Sequence, residues 1–213
     1  MSFDIAAHLG AMTREVRNLE RDGQPAKAVV ASRVYPTDAA DLWDALTNSE
    51  RLPRWFAQVD GDLRLGGRFH VHGNAEGTIT ACEPQKHIAG TWEFAGATSW
   101  IEIDLTPDGD GTRLQLVHTA HISPHWDMFG PGAVGVGWEL GFLGLSAHLA
   151  APESDVRAEG TGWETSEEAK GLVRASSAAW GEAAINAGEN REHALAAAEA
   201  TRKFYSGEAP TEM

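Results

Sequence analysis

Apolar positions recur along this chain with two different periods, and the change of period organises it. Ile5, Leu9, Met12, Val16 and Leu19 follow one another at steps of four and three, the stripe of an amphipathic helix. Ser2 is its candidate N-cap, and Gly23 with Pro25 closes it. The segment "KAVVASRVY" (27–35) is rich in β-branched residues and predicts a strand. "TDAADLWDALTN" (37–48) predicts a short helix capped by Thr37 or Asp38, with Leu42, Trp43 and Leu46 on its apolar side. "SERLPRWF" (49–56) predicts another, in which Pro53 is tolerated because it lies in the first turn.

From Asp60 to Ile122 the period falls to two. The alternation predicts strands over "DLRLGG", "RFHVHG", "GTITACE", "KHIAGTWEF", "SWIEIDLT" and "TRLQLVHTAHI". Gly73-Asn74, Glu83-Pro84, Gly96 and "PDGDG" (107–111) supply turns between them, and spacings this short imply antiparallel hairpins. "PGAVGVGWELGFLGLSAHL" (131–149) then predicts a long helix with Trp138, Phe142, Leu145 and Leu149 on one face. Its glycines cost about 1 kcal/mol each against alanine, so they either permit close packing or leave room beside the helix. Beyond Pro152, Thr165 and Glu168 have capping-box spacing. Ala169, Leu172, Val173, Ser176, Ala179, Trp180 and Ala183 form a stripe that Gly188 stops, and a last helix runs from Arg191 to Tyr205.

Composition narrows the function. The 213 residues hold 17 Lys+Arg against 31 Asp+Glu, a formal net charge of −14. That deficit of cations argues against nucleic acid and against an anionic membrane surface. Cys82 is the only cysteine, so an internal disulfide is impossible. The N-terminus has neither the basic nor the apolar region of a signal peptide, and no apolar run approaches the roughly 20 residues of a membrane span. These features predict a cytoplasmic protein.

The order of elements, and the phrases "LWDALTNSERLPRWF", "GDLRLGGRFHV", "GTITACEPQKHIAGTWEF" and "GTRLQLVHTAHI", resemble the START-like, or SRPBCC, superfamily. Within it the chain is similar to the polyketide-cyclase-like branch of homologues of the heat-shock-protein-ninety ATPase activator C-terminal domain. The resemblance implies an α+β helix-grip fold, a curved antiparallel sheet wrapped round a long C-terminal helix, over residues 27–150. It also implies a cavity for a small hydrophobic molecule; no cofactor is expected. The expected organisation is an N-terminal helix over 1–26, this domain, and a helical extension over 151–213. The terminal helices either cap the domain or bridge two chains as a homodimer.

Alternation assigns the faces of the sheet without reference to any family. On "RFHVHG", burying Phe69 and Val71 turns His70 and His72 outward. Two histidines one residue apart suit zinc or copper, but His118, His121 and His125 are not expected on that face, so no metal site is predicted. Ile88, Trp92 and Phe94 share the inner face, as do Ile103 and Leu116. His118 joins them as the lone titratable group on an apolar wall, the composition of a ligand cavity. It is either a core histidine or a group that orients a ligand or acts as general base. Trp55, Phe56, Trp138, Phe142 and Leu145 complete the expected lining. There is no G-x-S-x-G elbow or phosphate-binding loop, and "GAVGVG" (132–137) does not follow a strand as a dinucleotide fingerprint must. Three functions remain: a small-molecule binder, a cavity enzyme of cyclase, dehydratase or hydrolase type using His118, and an interaction module. The last would be chaperone-regulator-like and present apolar surface near Trp163, Trp180 and Phe204.

Overall fold

The computed structural model describes residues 3–208. Among them the strands are β1 Thr13–Arg21, β2 Gln24–Tyr35, β3 Val59–Gly61, β4 Arg68–Val71, β5 Glu76–Glu83, β6 His87–Phe94, β7 Ala97–Asp108 and β8 Gly111–His121. They form one sheet in the order β1-β2-β8-β7-β6-β5-β4-β3. From β3 to β8 each consecutive pair is antiparallel, the meander that the turn spacing implies. The helices are α1 Ile5–Ala11, α2 Ala39–Thr47, α3 Leu52–Trp55, α4 Pro124–Phe129, α5 Gly132–Ala150, α6 Val156–Glu159, α7 Glu167–Asn186 and α8 Arg191–Tyr205. An antiparallel meander followed by one long helix is the α+β, helix-grip class.

Three local expectations are corrected. The N-terminal stripe is not one helix: α1 stops at Ala11, Met12 is extended, and the chain continues as β1. Met12 and Val16 are buried while Leu19 is 38 % exposed, so the helical period fails past α1. Asp22 and Gly23, with φ of 51° and 74°, form the two-residue turn joining β1 to β2 rather than a helix stop. Asp4 caps α1, accepting from the Ala7 N–H at 2.9 Å, and Ser2 lies outside the described residues. The strand expected at 62–67 is a loop preceded by β3. There the Gly66 N–H donates to Ile79 O and the Ile79 N–H to Gly67 O, at 2.8 and 2.9 Å, beside the register shift between Ile79 and Ala81 of β5. Finally, Ser166 and not Thr165 caps α7, while Glu168 accepts from Trp163 Nε1 at 2.8 Å.

The described chain forms two compact units. The first draws on 3–31, 121–140 and 160–208. Its core is α7, with Leu172, Val173 and Trp180 buried. A Cβ on Gly135 of α5 would lie 2.2 Å from the Trp180 ring, and one on Gly132 would lie 3.0 Å from Thr201 of α8. Thr201 Oγ1 donates to Phe129 O and Tyr205 Oη to Ala133 O, both at 2.8 Å. Arg14 of β1 grips Glu139 of α5 with Nε and Nη2, at 2.6 and 2.7 Å, and the Glu139 side chain is 1 % exposed. By length and composition α5 could cross a membrane. This buried ion pair and the seated glycines identify it instead as a packed core helix.

The second unit comprises 32–120 and 141–159. Tyr35 Oη donates to Phe142 O at 3.1 Å, and Trp55 Nε1 donates to Ala45 O at 3.1 Å. A Cβ on Gly144 would lie 2.7 Å from Trp55 O, so α3 and α5 meet backbone to backbone. Arg51 holds Asp41, Asp44 and His148 Nε2 at 2.8, 3.0 and 3.1 Å, tying α2 to the end of α5.

Candidate ligand-binding site

Register builds the inner face of the second unit. Ile88 pairs with Ile103, Gly90 with Ile101 and Trp92 with Ser99; Ile101 pairs with His118 and Ile103 with Leu116. Directly paired residues share a face, so β6, β7 and β8 present Ile88, Trp92, Ile101, Ile103, Leu116 and His118 together. Phe69 and Val71 extend it across β4, with Phe69 opposite Gly77. Phe69, Val71, Trp92, Leu116 and His118 are buried, whereas Ile101 and Ile103 are half-buried in the middle of this apolar surface.

His118 is 7 % exposed and is anchored there. Its Nε2 lies 2.8 Å from Ser99 Oγ, which in turn lies 3.0 Å from Trp92 O. A carbonyl only accepts, so the Ser99 hydroxyl donates to Trp92 and His118 Nε2–H donates to Ser99. This fixes the tautomer, with Nδ1 as the basic nitrogen. The Trp92 ring stands edge-on to the imidazole, with centroids 6.3 Å apart. Burial among these apolar groups depresses the His118 pKa to about 4, so the ring is neutral near pH 7. The imidazole is thus neutral, oriented and set into an apolar wall.

Of the expected lining residues on helices, Trp55 is buried on α3, and Phe142 and Leu145 are buried on α5. The glycines of α5 divide by role. Gly132, Gly135, Gly137 and Gly144 are each pressed by a neighbour within 3.0 Å of where a Cβ would stand. Gly141 differs: the nearest atom to its would-be Cβ is Phe56 Cδ2, at 4.0 Å. Of the two explanations for these glycines, close packing holds for four and spare room for Gly141. Gly90 leaves no such room, because its Cβ would meet Thr78 O at 2.8 Å.

One expected lining residue lies elsewhere. Phe94 is 54 % exposed, because the Ala95-Gly96 turn follows it at once and carries it to the hairpin tip. It edges a shallow depression with Glu76, Glu93 and residues 95–98. Trp138 is half-buried and belongs to the first unit. Trp180, expected near a docking surface, is wholly buried. Sequence reading missed Ser99, although its place two residues before Ile101 puts it on the inner face. It missed Tyr35 and His148 as well; both are fully buried, and burial pushes the Tyr35 hydroxyl pKa up. The His148 pKa is lowered, first by burial and then by the charges of Arg51 and Arg54. His70 and His72 are exposed on the outer face, as alternation predicts.

Residues 36–150 match the family described as Activator of Hsp90 ATPase homolog 1-like protein. Among curated proteins none matches the chain. Among solved structures, CalU16 from Micromonospora echinospora is 29 % identical with a TM-score of 0.65, over 81 % of this chain and 98 % of that one. MLL2253 from Mesorhizobium loti is 26 % identical with a TM-score of 0.52, over 58 % and 96 %. EF2215 from Enterococcus faecalis, 16 % identical with a TM-score of 0.60 over 87 % and 96 %, shares the fold. The coverage by CalU16 exceeds residues 36–150, so the likeness reaches into the terminal elements.

Proposed function

Because the chain belongs to the family of Activator of Hsp90 ATPase homolog 1-like proteins, we propose that it binds a small apolar or aromatic molecule. The ligand lies against the inner face of β6, β7 and β8, beside α5 at Gly141. One observation carries this reading: a single neutral imidazole, held by Ser99, is set into a surface otherwise made of Ile88, Trp92, Ile101, Ile103 and Leu116. Mostly apolar walls with one convergent polar group suit binding and orientation. They suit proton abstraction less well, since a base with a pKa of about 4 has little driving force near neutrality. Binding therefore ranks above a cavity enzyme, and above an interaction module because Trp180, one of the three aromatics expected near a docking surface, is wholly buried while Phe204 is 42 % exposed.

N-phenyl-1-naphthylamine, a neutral aromatic dye whose emission rises in apolar surroundings, tests the reading. Titration should show saturable binding that Gly141→Leu, which fills the open position, weakens by about tenfold or more. His118→Leu should alter affinity for probes bearing a hydroxyl more than for hydrocarbons. Absence of saturable binding, or binding indifferent to both variants, would overturn it. Native mass spectrometry of protein purified from its own host then searches for the natural occupant as an adduct.

A further inference from the structure

We propose that Asp60, His70 and His72 form a binding site for a divalent transition-metal ion, with Zn²⁺ the fitting case, on the outer face of β3 and β4. Sheet pairing produces the juxtaposition. Asp60 stands opposite His70, and Val59 opposite Val71. The pleat that turns the two valines inward therefore turns Asp60 and His70 outward. His72 follows on the same side, its backbone N–H donating to Gln58 O at 3.0 Å. The two imidazoles lie 4.8 Å apart, centroid to centroid, and His72 Nε2 lies 2.5 Å from Asp60 Oδ2. One ligating atom from each of the three residues falls within 4.8 Å of the other two.

A hydrogen bond across the strands joins His72 and Asp60, and His70 lies beside them, its ring 4.8 Å from the second imidazole. A divalent cation would take one nitrogen from each ring and one oxygen from the carboxylate, all suitable donors for zinc. Three protein donors leave a position for water, as in open zinc sites. Gln58 Nε2 donates to Asp60 Oδ1 at 3.3 Å and steadies the carboxylate. All three residues are exposed, so an ion reaches them without a conformational change. The third ligand that sequence spacing failed to supply is thus Asp60, which meets His70 only through strand register. Bound there, the ion would tie the three-residue β3, one of the two edge strands of the sheet, to β4. The proposal does not depend on the inner-face ligand.

The test uses the full chain, stripped with EDTA and free of any polyhistidine tag. Calorimetric titration with Zn²⁺ near neutral pH should give one ion per chain. His70→Ala, His72→Ala and Asp60→Ala should each weaken it by about tenfold or more. His87→Ala, which removes the His87–Asp104 pair at 2.8 Å, should leave it unchanged. Co²⁺ titration should give visible d–d bands that require both histidines, and circular dichroism confirms that the variants fold. No uptake of Zn²⁺, or uptake unaltered in the His70→Ala/His72→Ala double variant, would overturn the proposal.

Discussion

His118 links the candidate site to acid stability. Its folded pKa of about 4 lies below the ordinary histidine value of 6.5, so between those pH values the unfolded chain binds more protons. Stability from this group is fully present above pH 6.5 and is lost as pH falls toward 4, by up to about 3 kcal/mol. Urea unfolding at both ends of that window should show His118→Phe losing less stability on acidification than the parent protein; parallel losses would refute it. The buried Arg14–Glu139 pair makes a second prediction at this scale. Arg14→Ala strands a carboxylate that is 1 % exposed and should cost about 3–5 kcal/mol by the same measurement. Arg14→Met combined with Glu139→Leu should recover most of that loss, because no charge is then left without a partner. His118 was legible in the sequence because alternation sorts a strand into faces. Ser99 was overlooked because a serine carries no signal until its partner across the sheet is known, and Glu139 because an acid within an apolar helix has no visible counter-charge 125 residues away.

At the scale of elements, α5 makes opposite predictions for two glycines only six residues apart. Gly135→Ala drives a methyl into the Trp180 ring and should destabilise by about 1–3 kcal/mol or more. Gly141→Ala meets nothing closer than 4.0 Å and should stabilise by about 0.5–1 kcal/mol through helix propensity. Urea midpoints of the two variants check both signs, and equal shifts would show that the helix is not gripped as described. The sequence predicted α5, α8 and most strands nearly to the residue, since their periods run uninterrupted. It failed where two periods fit the same residues. Met12 and Val16 satisfy a helical step of four, yet they also suit a strand entered from a short helix, and only the Asp22-Gly23 turn decides between them. The 62–67 loop failed for a related reason: its alternation is real, but Gly66 and Gly67 use their backbone groups on Ile79 rather than on a neighbouring strand along their length.

For the molecule as a whole, a formal charge of −14 sets a background of self-repulsion. Raising NaCl from about 0.01 M to 0.15 M shortens the screening length from about 30 Å to 8 Å. The melting temperature should therefore rise; each 1 kcal/mol of relief corresponds to about 2–4 °C for a chain of this size. A fall on adding salt would mean that attractive surface pairs such as Lys86–Glu83 outweigh the net repulsion. The family was legible at this scale because the order of helices and hairpins over 27–150 is itself distinctive. The composition of the two units was not, since each gathers segments far apart in sequence.

One strand sets a constraint on both surfaces at once. β4 is four residues long and alternates Arg68 out, Phe69 in, His70 out, Val71 in. A substitution on one side leaves the other intact, but sliding the strand by a single step past its neighbours reverses the parity of every side chain. The imidazoles would then be driven into grease and the phenyl ring into water. Misalignment, more than any point change, is the fault this sheet must guard against, and the Gly66–Ile79 clasp just upstream stands where such slippage would begin.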